Sequence, residues 1–305
     1  PHKTGSINDI DSAISVKYKN YEKESVVLNV NDIIMDDKFT KKLKTLFPDI
    51  DILLCGYTGA GPYPQTYFSL DDETLIEEAS RKKERFFDRY KKLTSALNAK
   101  VNIPFAGKYV LGGKLANLND YRGVADAVEV LGFDENAIVL DDGENSFIDT
   151  QNFIPSKTRT KKYNRENINK RLDEIKNKRM DYERLINKDE VHKLPLNRII
   201  FKSYKNALKK SEVVEDYYYI FYLESQICIV NANKNKEEIK FIDKKHMEEM
   251  PAPRSEILID ERYLFGLMTL VYHWNNAEVG SQYMTRRTPN DFNRNAQSFL
   301  NFFTI

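Results

Sequence analysis

Ser25-Val26-Val27-Leu28-Asn29-Val30-Asn31-Asp32 and, after a short polar segment, Asp49-Ile50-Asp51-Ile52-Leu53-Leu54-Cys55-Gly56-Tyr57-Thr58-Gly59-Ala60-Gly61-Pro62-Tyr63-Pro64 decide the reading of this chain. Each is a short apolar run that stops at a polar or glycine-rich turn. Strands buried on both faces have this pattern, because neither face carries the polar alternation of a solvated sheet. In layered α/β folds ligands collect where such strands end. Asp32 lies just past the first run, and the loop over 56–64 follows the second. The active or binding edge is expected there.

Working outward, Ile14, Val16 and Tyr18 alternate with polar residues and predict a half-buried strand that forms a hairpin with 26–30. A short helix is predicted over 37–47, ended by Pro48. Ser69 and Asp72 look like the capping box of a long helix whose apolar positions include Leu75, Ala79, Phe86, Tyr90, Leu93 and Leu97. Strands are expected at 101–105, 108–111 and 137–140, with a helix through Val124, Val128 and Leu131 between them. Strand and helix alternate, which is the order of an α/β region.

Composition shifts near Pro155. Residues 157–193 are rich in Lys, Arg, Asn and Glu, with a thin stripe of Ile168, Leu172, Ile175, Tyr182 and Ile186, as in a solvated helix with one docked face. Beyond it, 217–223 and 226–230 read as a β-hairpin, 239–242 as a strand, and Asp260 as the cap of a helix. The expected organisation is therefore an α/β region over 1–155, a basic helical connector over 156–193, and a smaller α+β unit over 194–305.

The bulk numbers narrow the function. The 305 residues carry 47 basic and 46 acidic side chains, a net charge of +1, so no global field points to nucleic acid or an anionic membrane. No apolar run approaches the ~20 residues of a membrane span and no signal-peptide pattern is read, so a cytoplasmic location is expected. Cys55 and Cys228 each sit in an apolar run and read as buried free thiols. There is no clustered Cys/His zinc site, no P-loop, no GxGxxG, no GxSxG and no HExxH.

Few residues remain to carry chemistry. Of the histidines, His192 and His246 lie among charges and read as surface residues, while His273 ends an apolar helix and reads as a packing residue. The loop residues Tyr57, Thr58 and Tyr63 offer hydroxyls and ring faces beside three glycines. Arg286 and Arg287 could grip a phosphate or carboxylate, or pair with surface acids. Tyr217, Tyr218, Tyr219, Phe221 and Tyr222 could stack bases or sugars, or fill a core.

The order of Pro1-His2, Asn8-Asp9-Ile10-Asp11-Ser12-Ala13, Leu28-Asn29-Val30-Asn31-Asp32, Asp49-Ile50-Asp51, Tyr57-Thr58-Gly59-Ala60 and Pro64 resembles the second half of a metallo-β-lactamase fold. Ile103-Pro104-Phe105-Ala106-Gly107 and Trp274-Asn275-Asn276-Ala277-Glu278 look like its branch of CMP-N-acetylneuraminate and UDP-N-acetylmuramate hydroxylases. The resemblance implies part of an αββα sandwich with His2 and Asp32 as metal ligands, zinc or iron as the divalent metal, and a phosphorylated or nucleotide-linked substrate. Tyr57, Thr58, Tyr63, Arg286 and Arg287 are, from their own chemistry and position, the expected substrate-binding residues. The family's HxHxDH motif is not among these residues, and nothing holds the iron–sulfur cluster of the hydroxylases. The fold is therefore expected to be incomplete at its N-terminus, or the metal site degenerate. A metal-dependent hydrolase or hydroxylase-like protein is the leading expectation. A non-catalytic interaction or scaffold protein, contacting a protein partner through the connector helix, is the alternative.

Overall fold

A computed structural model describes residues 12–19, 24–31, 33, 35–105, 107–140, 165–245 and 249–305. It is a mixed α/β protein with two compact units that interleave along the chain. The first draws on Pro1–Ala60, Glu77–Val110 and Gly123–Arg171, the second on Gly61–Ile76, Leu111–Arg122 and Leu172–Ile305. The expected linear division into 1–155, 156–193 and 194–305 differs from this. The connector is not a piece apart: from Leu172 onward it belongs to the second unit, where Tyr182 and Val191 are buried.

In the first unit β1 (Ile14–Lys19) and β2 (Glu24–Asn31) make the expected antiparallel hairpin. β2 then pairs in parallel with β3 (Ile52–Gly56), and β3 in parallel with β4 (Val101–Phe105). The alternation of β2 and β3 divides their side chains between two apolar layers. Leu28, Val30, Leu53 and Cys55 pack with Leu43 of α1 (Asp37–Leu46) and with Tyr90 and Leu97 of α2 (Asp72–Leu97). Val27, Ile52 and Leu54 face the other way, against Val101, Ile103, Ile138 and Leu140. Burial on both faces is why these runs lack polar alternation.

Several local expectations are corrected. β1 is an edge strand with all six residues exposed, Ile14, Val16 and Tyr18 at 61%, 58% and 65%, rather than half-buried. The cap of α2 is Asp71, whose Oδ1 accepts from the Thr74 amide at 2.9 Å, not the Ser69/Asp72 pair. Residues 108–111 form no strand, and 137–140 contribute one parallel bridge, Asn102 to Ala137. The helix near Val124 is the single turn α3 (Ala127–Val130).

The parallel register is fixed at the amino ends of the strands. Asp51 is 2% exposed. Its Oδ2 accepts from the Val26 amide at 2.8 Å and its Oδ1 from Lys100 Nζ at 2.7 Å. Its backbone donates to Val26 O and accepts from the Val101 amide, each at 3.0 Å. One residue thus ties β2, β3 and the entry to β4.

The second unit begins its helical part with α4 (Arg165–Ile175), whose last residues it takes, followed by α5 (Asp181–Leu185), α6 (Lys188–Lys193) and α7 (Leu196–Lys210). Its sheet holds β5 (Tyr218–Tyr222), β6 (Gln226–Asn231), β7 (Ile239–Asp243), β8 (Arg254–Leu258) and β9 (Met284–Thr288), in the order β7-β6-β5-β8-β9. Only the β5–β8 pair is parallel. α8 (Glu261–Met268), α9 (Trp274–Val279) and α10 (Arg294–Asn301) complete it. The dense aromatics of β5 are core. Tyr219 stacks on Phe299 at 5.8 Å, and Phe221 on Phe303 at 5.3 Å, leaving Tyr218 and Tyr222 half-buried on the opposite face. A base-stacking platform is thereby replaced by interior packing. Both cysteines are free and buried, and burial pushes the Cys55 thiol to about 12. Among the described residues no helix is long and apolar enough to cross a membrane.

Asp51→Ala removes a buried acceptor and strands the Val26 amide, at a cost of about 2–4 kcal/mol for a hydrogen bond and an ion pair lost together. Asp51→Asn keeps an acceptor for Val26 and should cost less. Urea unfolding of the two variants checks the ranking, and equal stability of Asp51→Ala and wild type would remove Asp51 from its anchoring role.

Candidate functional site

β2, β3 and β4 run parallel, with a one-residue shift in the β2–β3 pairing between Asn29 and Asn31, and their carboxyl ends lie side by side: Asn31 is paired with Cys55, and Gly56 with Phe105. β2 closes sharply, since Asn31 adopts φ +51° and its amide donates to Asn29 Oδ1 at 2.9 Å. This is a local Asx turn, for which Asn tolerates the left-handed region. Asp32 follows in sequence. Asp32 and His2, the two expected metal ligands, lie outside the described residues, as does His246.

The loop after β3 turns inward. Tyr57 and Thr58 are 4% and 2% exposed. The Tyr57 hydroxyl accepts from the backbone amides of Lys108 and Ala127, while burial, then the charge of Asp126, pushes its pKa to about 12. Thr58 Oγ1 accepts from the Ala125 amide at 3.2 Å. Both side chains therefore hold the loops after β3 and β4 against the turn before α3. The glycines serve close approach. A Cβ at Gly107 would strike the Tyr57 ring and hydroxyl, and one at Gly59 would strike the Phe86 ring.

Above these buried groups stands Lys108, whose Nζ lies 3.0 and 3.1 Å from the two carboxylate oxygens of Asp126. The two side chains are about one-fifth exposed, at 21% and 17%. Burial raises the Asp126 carboxyl, and Lys108 opposes that rise. The Asp126 amide donates to Glu129 Oε1 at 2.9 Å, fixing the start of α3, and Glu129 pairs with Lys83 at 2.8 Å. Lys108, just past β4, and Asp126, at the start of α3, thus form a paired ammonium and carboxylate beside the Tyr57–Thr58 loop. Neither was singled out from sequence, and their separation of 18 residues hides the pairing.

Tyr63, Arg286 and Arg287 belong to the second unit. The segment carrying Tyr63 docks on β9: Thr285 donates to Thr66 O at 2.8 Å, and Phe68 donates to Thr285 O at 3.2 Å. Tyr63 packs edge-on to Tyr67 at 4.8 Å, and Tyr67 carries the Arg287 guanidinium at 5.4 Å, so these expected residues are linked. Arg287 is 12% exposed, bonded to the half-buried Glu278 at 3.3 Å and packed against Phe292. Arg286 spans both oxygens of Glu256, which is fully buried and also held by Arg254 Nε at 2.9 Å and Tyr222 Oη at 2.7 Å. Both arginines are therefore engaged by internal acids. His273, expected in packing, is exposed at the start of α9. Among the described residues one group of histidine and acidic side chains is close enough to share an ion: His192, Glu224 and Glu261, all in the second unit.

The chain matches no protein-family model, no curated protein and no solved structure with which it was compared.

The Glu256 cluster gives a pH signature. Burial pushes this carboxyl up, but the bonds from Arg286, Tyr222 and Arg254 outweigh it and hold the group below its ordinary 4.5. A depressed carboxyl stabilises the fold above the unfolded value and loses that contribution as pH falls through the folded one. Urea midpoints followed downward from pH 5 should therefore drop more steeply in wild type than in Glu256→Gln, which starts less stable. Parallel curves would show that Glu256 carries no such linkage.

Proposed function

We propose that the first unit is part of a metallo-β-lactamase-like αββα sandwich. Its working edge would be the carboxyl ends of β2, β3 and β4, and it would take a phosphorylated or nucleotide-linked substrate in the cytoplasm. The observation that carries this reading is the side-by-side ending of three parallel strands at Asn31, Gly56 and Phe105, with the Lys108–Asp126 pair in the segments that follow β4. Ligands gather at such edges because strand ends deliver several loops to one place. Lys108 is the cation of this edge; it is paired with Asp126, so an anionic substrate would compete with that carboxylate for it.

The metal implied by the family is less well provided for. Among the described residues this edge offers Asp126, already held by Lys108, and no histidine; Cys55 is buried within β3. These residues alone do not fit a catalytic zinc, which takes three protein ligands. His2 and Asp32 would supply two. No reaction step is therefore routed through a metal, and a non-catalytic binding protein is the counterpart reading.

The two are separated by assay. Nucleoside diphosphates and nucleotide sugars should bind the purified chain, and Lys108→Met should weaken them about tenfold, the loss of one charge-assisted hydrogen bond. Turnover that requires added zinc or iron and disappears in Asp32→Asn marks the hydrolase. Binding without turnover marks the counterpart. Absence of binding, or affinity untouched by Lys108→Met, overturns the assignment of this edge.

A further inference from the structure

We propose that His192, Glu224 and Glu261 form a site for a divalent transition metal of the zinc type in the second unit. The three come from separate elements: His192 from the last turn of α6, Glu224 from the turn between β5 and β6, and Glu261 from the first position of α8. Nε2 of His192 lies 3.2 Å from Glu224 Oε2, and Nδ1 lies 3.7 Å from Glu261 Oε2. One ligand atom from each residue can be chosen so that all lie within 4.8 Å of one another.

Each carboxylate is oriented through its other oxygen. Glu224 Oε1 accepts from Lys188 Nζ at 3.0 Å, and Glu261 Oε1 accepts from the Glu224 amide at 2.7 Å. The remaining oxygens are left turned toward the imidazole. Anchoring of this kind is what aims ligands at a metal. Glu224 meets the ring at Nε2 and Glu261 at Nδ1, so an ion takes one ring nitrogen and the carboxylate at the other must swing to it. The cleft around the trio is mixed in sign, with Glu224, Asp260 and Glu261 facing Lys114, Lys188, Lys244 and Arg262, so the attraction rests on the donor atoms and not on net charge.

The donor set selects the class of ion. One imidazole nitrogen and two carboxylate oxygens suit zinc and its neighbours, at about 2.0–2.2 Å per ligand. Modest rotation of exposed His192 and Glu224 side chains draws the atoms to that range. Three protein ligands leave a further position open. It faces a cleft of about 400 Å³ lined also by Lys114, Tyr222 and Arg262. This site uses none of the residues assigned to the strand-end edge, so it stands or falls separately.

The test is calorimetric titration of the chelator-treated full chain with zinc chloride. His192→Ala, Glu224→Gln and Glu261→Gln should each weaken binding about tenfold or more, while His273→Ala, at an exposed histidine outside the trio, leaves it unchanged. Glu261→Gln keeps an oxygen for the Glu224 amide, and Glu224→Gln keeps one for Lys188, so both variants should retain the wild-type melting curve without zinc. Nitrogen-resolved NMR of His192 should show one ring nitrogen shifting on zinc addition. Zinc affinity unchanged in His192→Ala overturns the proposal. So does an imidazole that stays protonated on both nitrogens in saturating zinc, which would make the trio a proton-bridged salt link.

Discussion

The first unit depends on one buried carboxylate. Asp51 joins the amide of Val26 and the ammonium of Lys100, and its backbone joins Val26 and Val101. A buried charge is costly unless it is paired and bonded. Here both oxygens are used, so the cost of burial becomes a constraint on register. Parallel strands have no tight hairpin to set their alignment; Asp51 does it at the amino end. A shift by one residue would turn Leu53 and Cys55 away from α2 and set Ile52 and Leu54 in their place. The alignment at one end is transmitted along five residues to the other, where it sets Gly56 beside Phe105.

The second unit uses charge differently. β8 and β9 carry Arg254, Glu256, Arg286 and Arg287 within strands, where apolar residues are the norm. Glu256 is paired with Arg286 across the ladder, so the acid and the base enter the sheet together. Arg287 of β9 instead pairs with Glu278 of α9, with the rings of Tyr67 and Phe292 against its guanidinium. A guanidinium tolerates this because it is planar, weakly hydrated and able to stack while it donates.

These devices explain which parts were legible in the sequence. β2, β3 and β4 are short apolar runs with turn residues at both ends, and α1, α2 and α8 have caps and a regular apolar period, so local pattern finds them. β8 and β9 escape it, because the charges that make them look like loops are neutralised by partners about 30 residues away. The interleaved units escape it too. Nothing local tells that 61–76 belongs with Thr285, since the bonds of Thr66 and Phe68 are made some 217–219 residues along the chain. Tyr57 and Thr58 were visible as loop hydroxyls, yet their use as internal acceptors depends on Lys108, Ala125 and Ala127. β1 shows the converse: its alternation is real, but an edge position leaves it exposed.

The same reasoning separates the two places where chemistry can be located. Among the described residues at the strand ends, the loops after β3 and β4 are supported from below by backbone bonds: Tyr57 holds the amides of Lys108 and Ala127, and Thr58 holds that of Ala125. Such an edge is preorganised, with its loops fixed before anything binds, which lowers the entropic cost of holding a ligand. In the His192 trio the support is uneven. Glu261 is 11% exposed and fixed by the Glu224 amide, whereas His192 and Glu224 are 42% and 52% exposed. One well-covered carboxylate with two more exposed partners can close on an ion but holds no defined shape for an organic molecule. The strand-end edge is therefore the better place for a shaped substrate, and the trio for a small cation.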